Sequence, residues 1–206
     1  MITILDYGAG NLRSVERACH ALDQKTTVVQ TPEGLRDAER IIFPGVGAAP
    51  AAMENLRRLG VVDALVERVH AGVPTLGICV GAQIALDRSE EGDTPCIGLL
   101  PGVTRLFKLP DPALKVPHIG WNEVRTIRPH PLLSGLNPGD EFYFVHSFYL
   151  DPEREEDRYA VTDYGGDFCS AIGRDTFFAT QFHPEKSGRF GLEFLERFAH
   201  WEGGGC

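Results

Sequence analysis

Cys79 lies at the centre of Gly77-Ile78-Cys79-Val80-Gly81, directly after the apolar run Val73-Pro74-Thr75-Leu76. A cysteine kept only for packing needs no glycine two positions to either side. The pattern is the cysteine form of the G-x-S-x-G nucleophile elbow, in which a strained strand-to-helix turn lifts the nucleophile out of a sheet. Side chains two positions before and after would collide, so both are glycine. An unperturbed thiol is mostly protonated at neutral pH, and a helix N-terminus or a neighbouring imidazolium favours the reactive thiolate. Taken alone, the same five residues also suit a buried, inert cysteine.

A nucleophile needs a base, and the base needs an orienting group. Of seven histidines, His183 stands out in "ATQFHPEKSG" (179–188), after the strand expected over 177–182. Glu185 is two residues on, and in extended backbone i and i+2 project to the same side. Glu185 then holds one imidazole nitrogen while the other faces Cys79. Read by itself, Glu185 equally suits the first turn of the last helix, where the dipole favours an acid. Acyl chemistry also needs an oxyanion hole. The N–H of Val80 supplies one donor. The second is expected from Val46 in "PGVG" (44–47), where Gly45 and Gly47 permit unusual backbone orientations; an ordinary turn fits that tetrapeptide as well.

These residues require a scaffold. Residues 2–6 read as a buried strand, 11–23 as an amphipathic helix, 28–29 and 40–45 as strands, and 50–71 as helix broken near Gly60. A strand over 73–78 and a helix starting within 80–87 frame the cysteine. Such alternation predicts an α/β domain with a largely parallel sheet. The second half changes character: strands are expected near 103–107, 121–127, 141–145, 158–164, 168–173 and 176–181, as antiparallel additions to the sheet. A closing helix is expected near 187–200. One domain over 1–201 and a flexible tail over 202–206 complete the organisation.

The 206 residues are 43% hydrophobic, enough for one core, and carry a formal net charge of −9. No Lys/Arg cluster marks a nucleic-acid face, and no apolar run marks a membrane span or signal peptide, so neither partner is expected and the cytoplasm is the expected compartment. Five cysteines without a C-x-x-C pair argue against a metal finger or disulfide framework, and Cys206 is one of them. "GAGNLR" (8–13) begins like a dinucleotide fingerprint but has Arg13 in place of the third glycine, and no phosphate loop occurs. Neither metal nor cofactor is expected.

"GICVGAQ" (77–83), "HPE" (183–185) and the preceding "PGVG" together resemble the class I, triad-type glutamine amidotransferases. More narrowly, "DYGAGNLRSV" (6–15), "VPHIGWNEV" (116–124), "YFVHSFY" (143–149) and "HPEKS" (183–187) are similar to the family of glutaminase subunits of imidazole glycerol phosphate synthase. The resemblance implies that Cys79 attacks the side-chain amide of L-glutamine, that His183 protonates the departing ammonia, and that Glu185 orients His183. It implies substrate contacts from Gly47, Gln83, His146, Ser147 and Phe148. It further implies a heterodimer with a (β/α)₈ cyclase subunit, which uses the ammonia to turn PRFAR into imidazole glycerol phosphate and AICAR, and an interface including Asn11, Trp121, Tyr143 and Lys186. Val80 and Ala82 stand where the family often has Leu and Met. Rival readings are the glutaminase subunit of another amidotransferase pathway, against which "HIGWN" and "YFVHS" speak, and a cysteine peptidase or DJ-1-like hydrolase, in which His commonly follows the elbow cysteine.

Overall fold

The computed structural model describes residues 1–204. Its first half alternates as the pattern requires: β1 (Ile2–Leu5), α1 (Leu12–His20), β2 (Thr26–Val29), α2 (Pro32–Arg36), β3 (Ile41–Gly45), α3 (Ala49–Leu59), α4 (Val62–His70), β4 (Thr75–Cys79) and α5 (Val80–Gln83). The second half supplies β5 (Gly102–Leu106), β6 (His118–Glu123), β7 (Glu141–His146), β8 (Phe148–Pro152), β9 (Arg158–Asp163), β10 (Asp167–Arg174), β11 (Phe177–Thr180) and the closing helix α6 (Gly188–His200). The main sheet runs β2-β1-β3-β4-β11-β10-β8-β5, parallel from β2 through β11 and antiparallel from β11 to β5. The central strands β1, β3 and β4 are buried along their whole length, because helices cover both faces of a parallel sheet. On α6 the stripe Phe194, Leu195 and Phe198 is buried, and the Phe182 ring meets Phe194 edge-on at 5.9 Å.

Several expectations are corrected. The helix begun at Val80 spans only Val80–Gln83, because the next carbonyls are taken by another segment: Ile97 N–H donates to Ile84, Gly98 to Leu86 and Leu100 to Ala85. The strand expected over 121–127 starts at His118 and stops at Glu123, and Arg125–Thr126 forms a separate pair with β9. β6 and β7 leave the main sheet and form their own two-stranded ribbon. β8 is a strand the pattern missed; Ser147 marks the point where the chain passes from the ribbon to the main sheet. Helix α2 was also missed, although Pro32 at its start and Thr31 accepting from the Gly34 N–H at 3.3 Å are ordinary start signals. Within the expected flexible tail, Gly204 N–H donates to the Asp175 carbonyl at 2.7 Å and the Trp201 indole donates to Gly204 at 2.8 Å. Residues 205–206, with Cys206, lie outside the described residues. Cys19, Cys79, Cys96 and Cys169 are free thiols.

Candidate active site

The elbow is strained where the chemistry requires it. Cys79 has φ 54 and ψ −106, a conformation that costs a non-glycine residue roughly 1–3 kcal/mol. The neighbouring glycines are explained by what surrounds them. A Cβ on Gly81 would stand 2.1 Å from the Phe43 carbonyl oxygen on β3, and one on Gly77 would stand 3.0 Å from the Ala179 Cβ on β11. The parallel register sets Gly45, at the end of β3, opposite Cys79. The PGVG loop therefore begins beside the sulfur, and Gly47 holds φ 105 within it.

His183 follows β11, the other neighbour of β4. Its Nδ1 donates to Glu185 Oε1 at 2.8 Å, and both side chains are fully buried. The route differs from the extended geometry expected of i and i+2. Pro184–Lys186 forms a single 3₁₀ turn, which carries Glu185 back beneath the ring. Ser187, which the sequence reading passed over, locks that turn: its hydroxyl donates to the His183 carbonyl at 2.6 Å and accepts from the Tyr143 N–H at 3.0 Å. His183 Nε2 is buried without a hydrogen-bond partner. Burial alone would pull the imidazole pKa down. The charge of a Cys79 thiolate and its hydrogen bonding to the ring, followed by the hydrogen bond and charge of Glu185, outweigh burial and raise it to about 10. Burial raises the Glu185 pKa, but the hydrogen bond and charge of His183, with a hydrogen bond from Asn11, outweigh it and hold the carboxyl below its usual value.

Asn11, expected at an interface, is 4% exposed, and its Nδ2 donates to Glu185 Oε1 at 3.0 Å. The turn after β1 directs it inward, where it supports the carboxylate. The other three residues expected at an interface form one patch. Trp121 is 52% exposed and meets Tyr143 edge-on at 6.0 Å, and the Lys186 ammonium lies 5.7 Å from the Tyr143 ring centroid.

Beside Cys79 opens a cavity of about 210 Å³. Val46, Gly47, Val80, Gln83, His146, Ser147 and Phe148 all line it, so every residue expected at the substrate and the oxyanion is on its wall. Glu91, Pro117 and Val145 line it too; no spacing signal in the sequence pointed to them. Among the described residues no cluster of His, Cys, Asp or Glu is arranged to hold a metal ion, and no helix is long and apolar enough to cross a membrane. The arrangement offers a thiol, a buried acid–base group at its side, and a small pocket: the parts for opening an acyl bond through a thioester.

The model of the family "Glutamine amidotransferase class-I" matches residues 3–201, and the chain belongs to that family. A solved structure titled "Crystal structure of glutamine amidotransferase" superposes with a TM-score of 0.73 at 20% identity, covering 96% of this chain and 98% of that one, which speaks to the fold. Full-length relatives narrow the placement to the subunits called HisH. The chain is 45% identical over 199 residues to "Imidazole glycerol phosphate synthase subunit HisH" of Dehalococcoides mccartyi (strain CBDB1), covering 96% of each. It is 48% identical over 206 residues to the protein of that name from Nitratidesulfovibrio vulgaris (strain Hildenborough), covering 96% of this chain and 95% of the relative.

Proposed function

We propose that this chain hydrolyses L-glutamine to glutamate and ammonia, and delivers the ammonia to a cyclase subunit that makes imidazole glycerol phosphate and AICAR from PRFAR. The observation that carries the reading is the position of Cys79. It stands on a glycine-relieved elbow at the wall of a cavity of about 210 Å³, next to a buried His183–Glu185 pair whose Nε2 is unpartnered.

The chemistry follows from the placement. The Cys79 thiolate adds to the side-chain amide carbon, and the oxygen takes the negative charge. The N–H groups of Val80 and Val46, both on the cavity wall, are the donors for that oxyanion. His183, with its Nδ1 proton held by Glu185, gives the Nε2 proton to the departing amide nitrogen, and ammonia leaves as the C–N bond breaks. Water then adds to the γ-glutamyl thioester with His183 as base, and glutamate leaves as the sulfur is released. Gly47, Gln83, His146, Ser147 and Phe148 bind the amino-acid end of the substrate.

The cyclase partner, a (β/α)₈ barrel, covers the face that carries Trp121, Tyr143 and Lys186, where Ile119 is also 60% exposed. Large apolar side chains grouped on one face mark an interaction surface. The site lacks room for a large acceptor, which suits division of labour between two subunits.

The test combines the purified chain with a cognate cyclase and follows glutamate release with and without the cyclase ligand. Ligand-dependent stimulation is expected; release that ignores the cyclase points to another pathway. Cys79→Ala abolishes glutamine-dependent turnover while the complex still accepts ammonium. Surviving glutamine use refutes the nucleophile assignment.

A further inference from the structure

The motifs "HIGWN" and "YFVHS" supply more than a pocket wall. Two of their side chains, His118 and His146, lead to the Phe148 carbonyl, from which Gln83 and Gln181 continue to the sulfur. Phe148 C=O accepts from His146 Nδ1 at 2.7 Å and from Gln83 Nε2 at 3.0 Å. A carbonyl only accepts, so His146 carries its proton on Nδ1, and its Nε2 is an acceptor while the ring is neutral. Facing that Nε2 at 3.1 Å is His118 Nδ1, which must therefore be the donor. His118 Nε2 is then the acceptor, and the Asn122 amide meets it at 3.4 Å while also donating to the Asp163 carbonyl at 2.9 Å. Burial keeps both rings neutral at working pH, pushing His118 down to about 4 and His146 to about 3. On the other side of Phe148, the second Gln83 Nε2 proton goes to Gln181 Oε1 at 3.2 Å. This fixes the sense of the Gln181 amide, whose Nε2 lies 3.7 Å from the Cys79 sulfur. Gln181 is fully buried.

We propose that Gln181 is a positioning residue for the nucleophile, a hydrogen-bond donor to the Cys79 sulfur whose orientation is set by Gln83, itself held as a donor by the Phe148 carbonyl. The proposal rests on the reading that Cys79 is the nucleophile. The carbonyl can only accept, so Gln83 turns its Nε2 to it and to Gln181 Oε1, which leaves the Gln181 Nε2 for the sulfur. Were the Gln181 amide reversed, its oxygen would face the sulfur and repel a thiolate.

The experiment measures alkylation of Cys79 by iodoacetamide at neutral pH, with kcat and KM for glutamine in the complex with a cyclase. Gln181→Met keeps length and removes the donor. A hydrogen bond to an ionised acceptor corresponds to about tenfold or more. Alkylation is expected to slow by about that factor, and kcat to fall alike, with KM within about twofold. Gln181→Leu also lacks the donor and slows alkylation alike; it serves if the methionine variant does not fold. Wild-type alkylation in Gln181→Met overturns the inference. The alkylation arm needs neither glutamine nor partner, so a wild-type chain that releases no glutamate with a cyclase refutes the proposed function and leaves this arm readable.

Discussion

Replacing Gly81 with alanine asks whether the elbow has room for one carbon. The added Cβ would lie 2.1 Å from the Phe43 carbonyl oxygen and 3.2 Å from its carbon. Both are backbone atoms of β3, which is paired with β1 on one side and β4 on the other, so this wall has no rotamer to change. The first turn of α5 must retreat by roughly 1 Å to restore ordinary contact, because close-packed interiors transmit such strain. Overpacking of this kind costs about 1–3 kcal/mol. For a chain of this size each kcal/mol corresponds to about 2–4 °C in Tm, so the drop is about 2–12 °C. A displacement of about 1 Å at the reacting atom costs about 10²-fold in rate. The assays are a thermal melt and glutamate release in the complex with a cyclase. Gly47→Ala is the control: no atom lies within 4 Å of its added Cβ, but its φ of 105 strains any side chain. It loses roughly 1–2 kcal/mol through backbone strain, without a clash. A Gly81→Ala protein with unchanged Tm refutes the steric argument. One that melts early yet turns over glutamine at the wild-type rate refutes the link between elbow position and catalysis.

Three further outcomes follow from the same geometry. Asn11→Leu removes the donor to Glu185 and, at about 1.5–3 kcal/mol for a hydrogen bond to a charged group, lowers kcat about tenfold or more with KM little changed; an unchanged kcat in steady-state assays counts against the support role. Tyr7→Phe removes a buried hydroxyl that has no partner, so its melting temperature equals or exceeds that of the wild type, and a loss above about 1 kcal/mol contradicts this. The folded-state pKa of His183 lies above its unfolded value of about 6.5, so its contribution to stability is full below that pH and fades as pH rises towards about 10. Urea denaturation therefore gives a difference between wild type and His183→Gln that shrinks across this window; a constant or growing difference shows the sign to be wrong.

The sequence carried the chemistry more fully than the architecture. Cys79 between two glycines and the HPE tripeptide have local causes, a tight turn and a two-residue spacing, and local causes leave marks on short segments. The strands β1, β3 and β4 were legible because burial on both faces makes them continuous apolar runs. What was hidden is what distant contacts decide. The end of α5 depends on residues 97–100 taking its following carbonyls, and no pattern within 80–87 announces that. Asn11 reads as a surface residue of a glycine turn until Glu185, 174 positions away, takes its amide. Gln181 looks like an ordinary polar residue after a strand; only the fold reveals the sulfur beside it.

One pairing decides whether a site exists at all. The turns that carry Asn11, the PGVG loop, Cys79 and His183 follow β1, β3, β4 and β11, four consecutive strands of the sheet. Ligands bind outside the carboxyl ends of parallel strands; β1 opens the sheet, and β3 and β4 reach that edge through helical connections, as in any such domain. β11 arrives differently. It returns in a hairpin from β10 and is the only strand of the antiparallel half to join β4, yet it runs parallel to it, with Phe177 against Thr75 and Thr180 against Ile78. Reversed, its four residues would carry His183 to the far edge, about 13 Å away at about 3.3 Å per residue, beyond any hydrogen bond to the nucleophile. The direction of that short strand, set by the chain reversal that turns it back from β10, is therefore the step that turns an elbow cysteine into part of a triad.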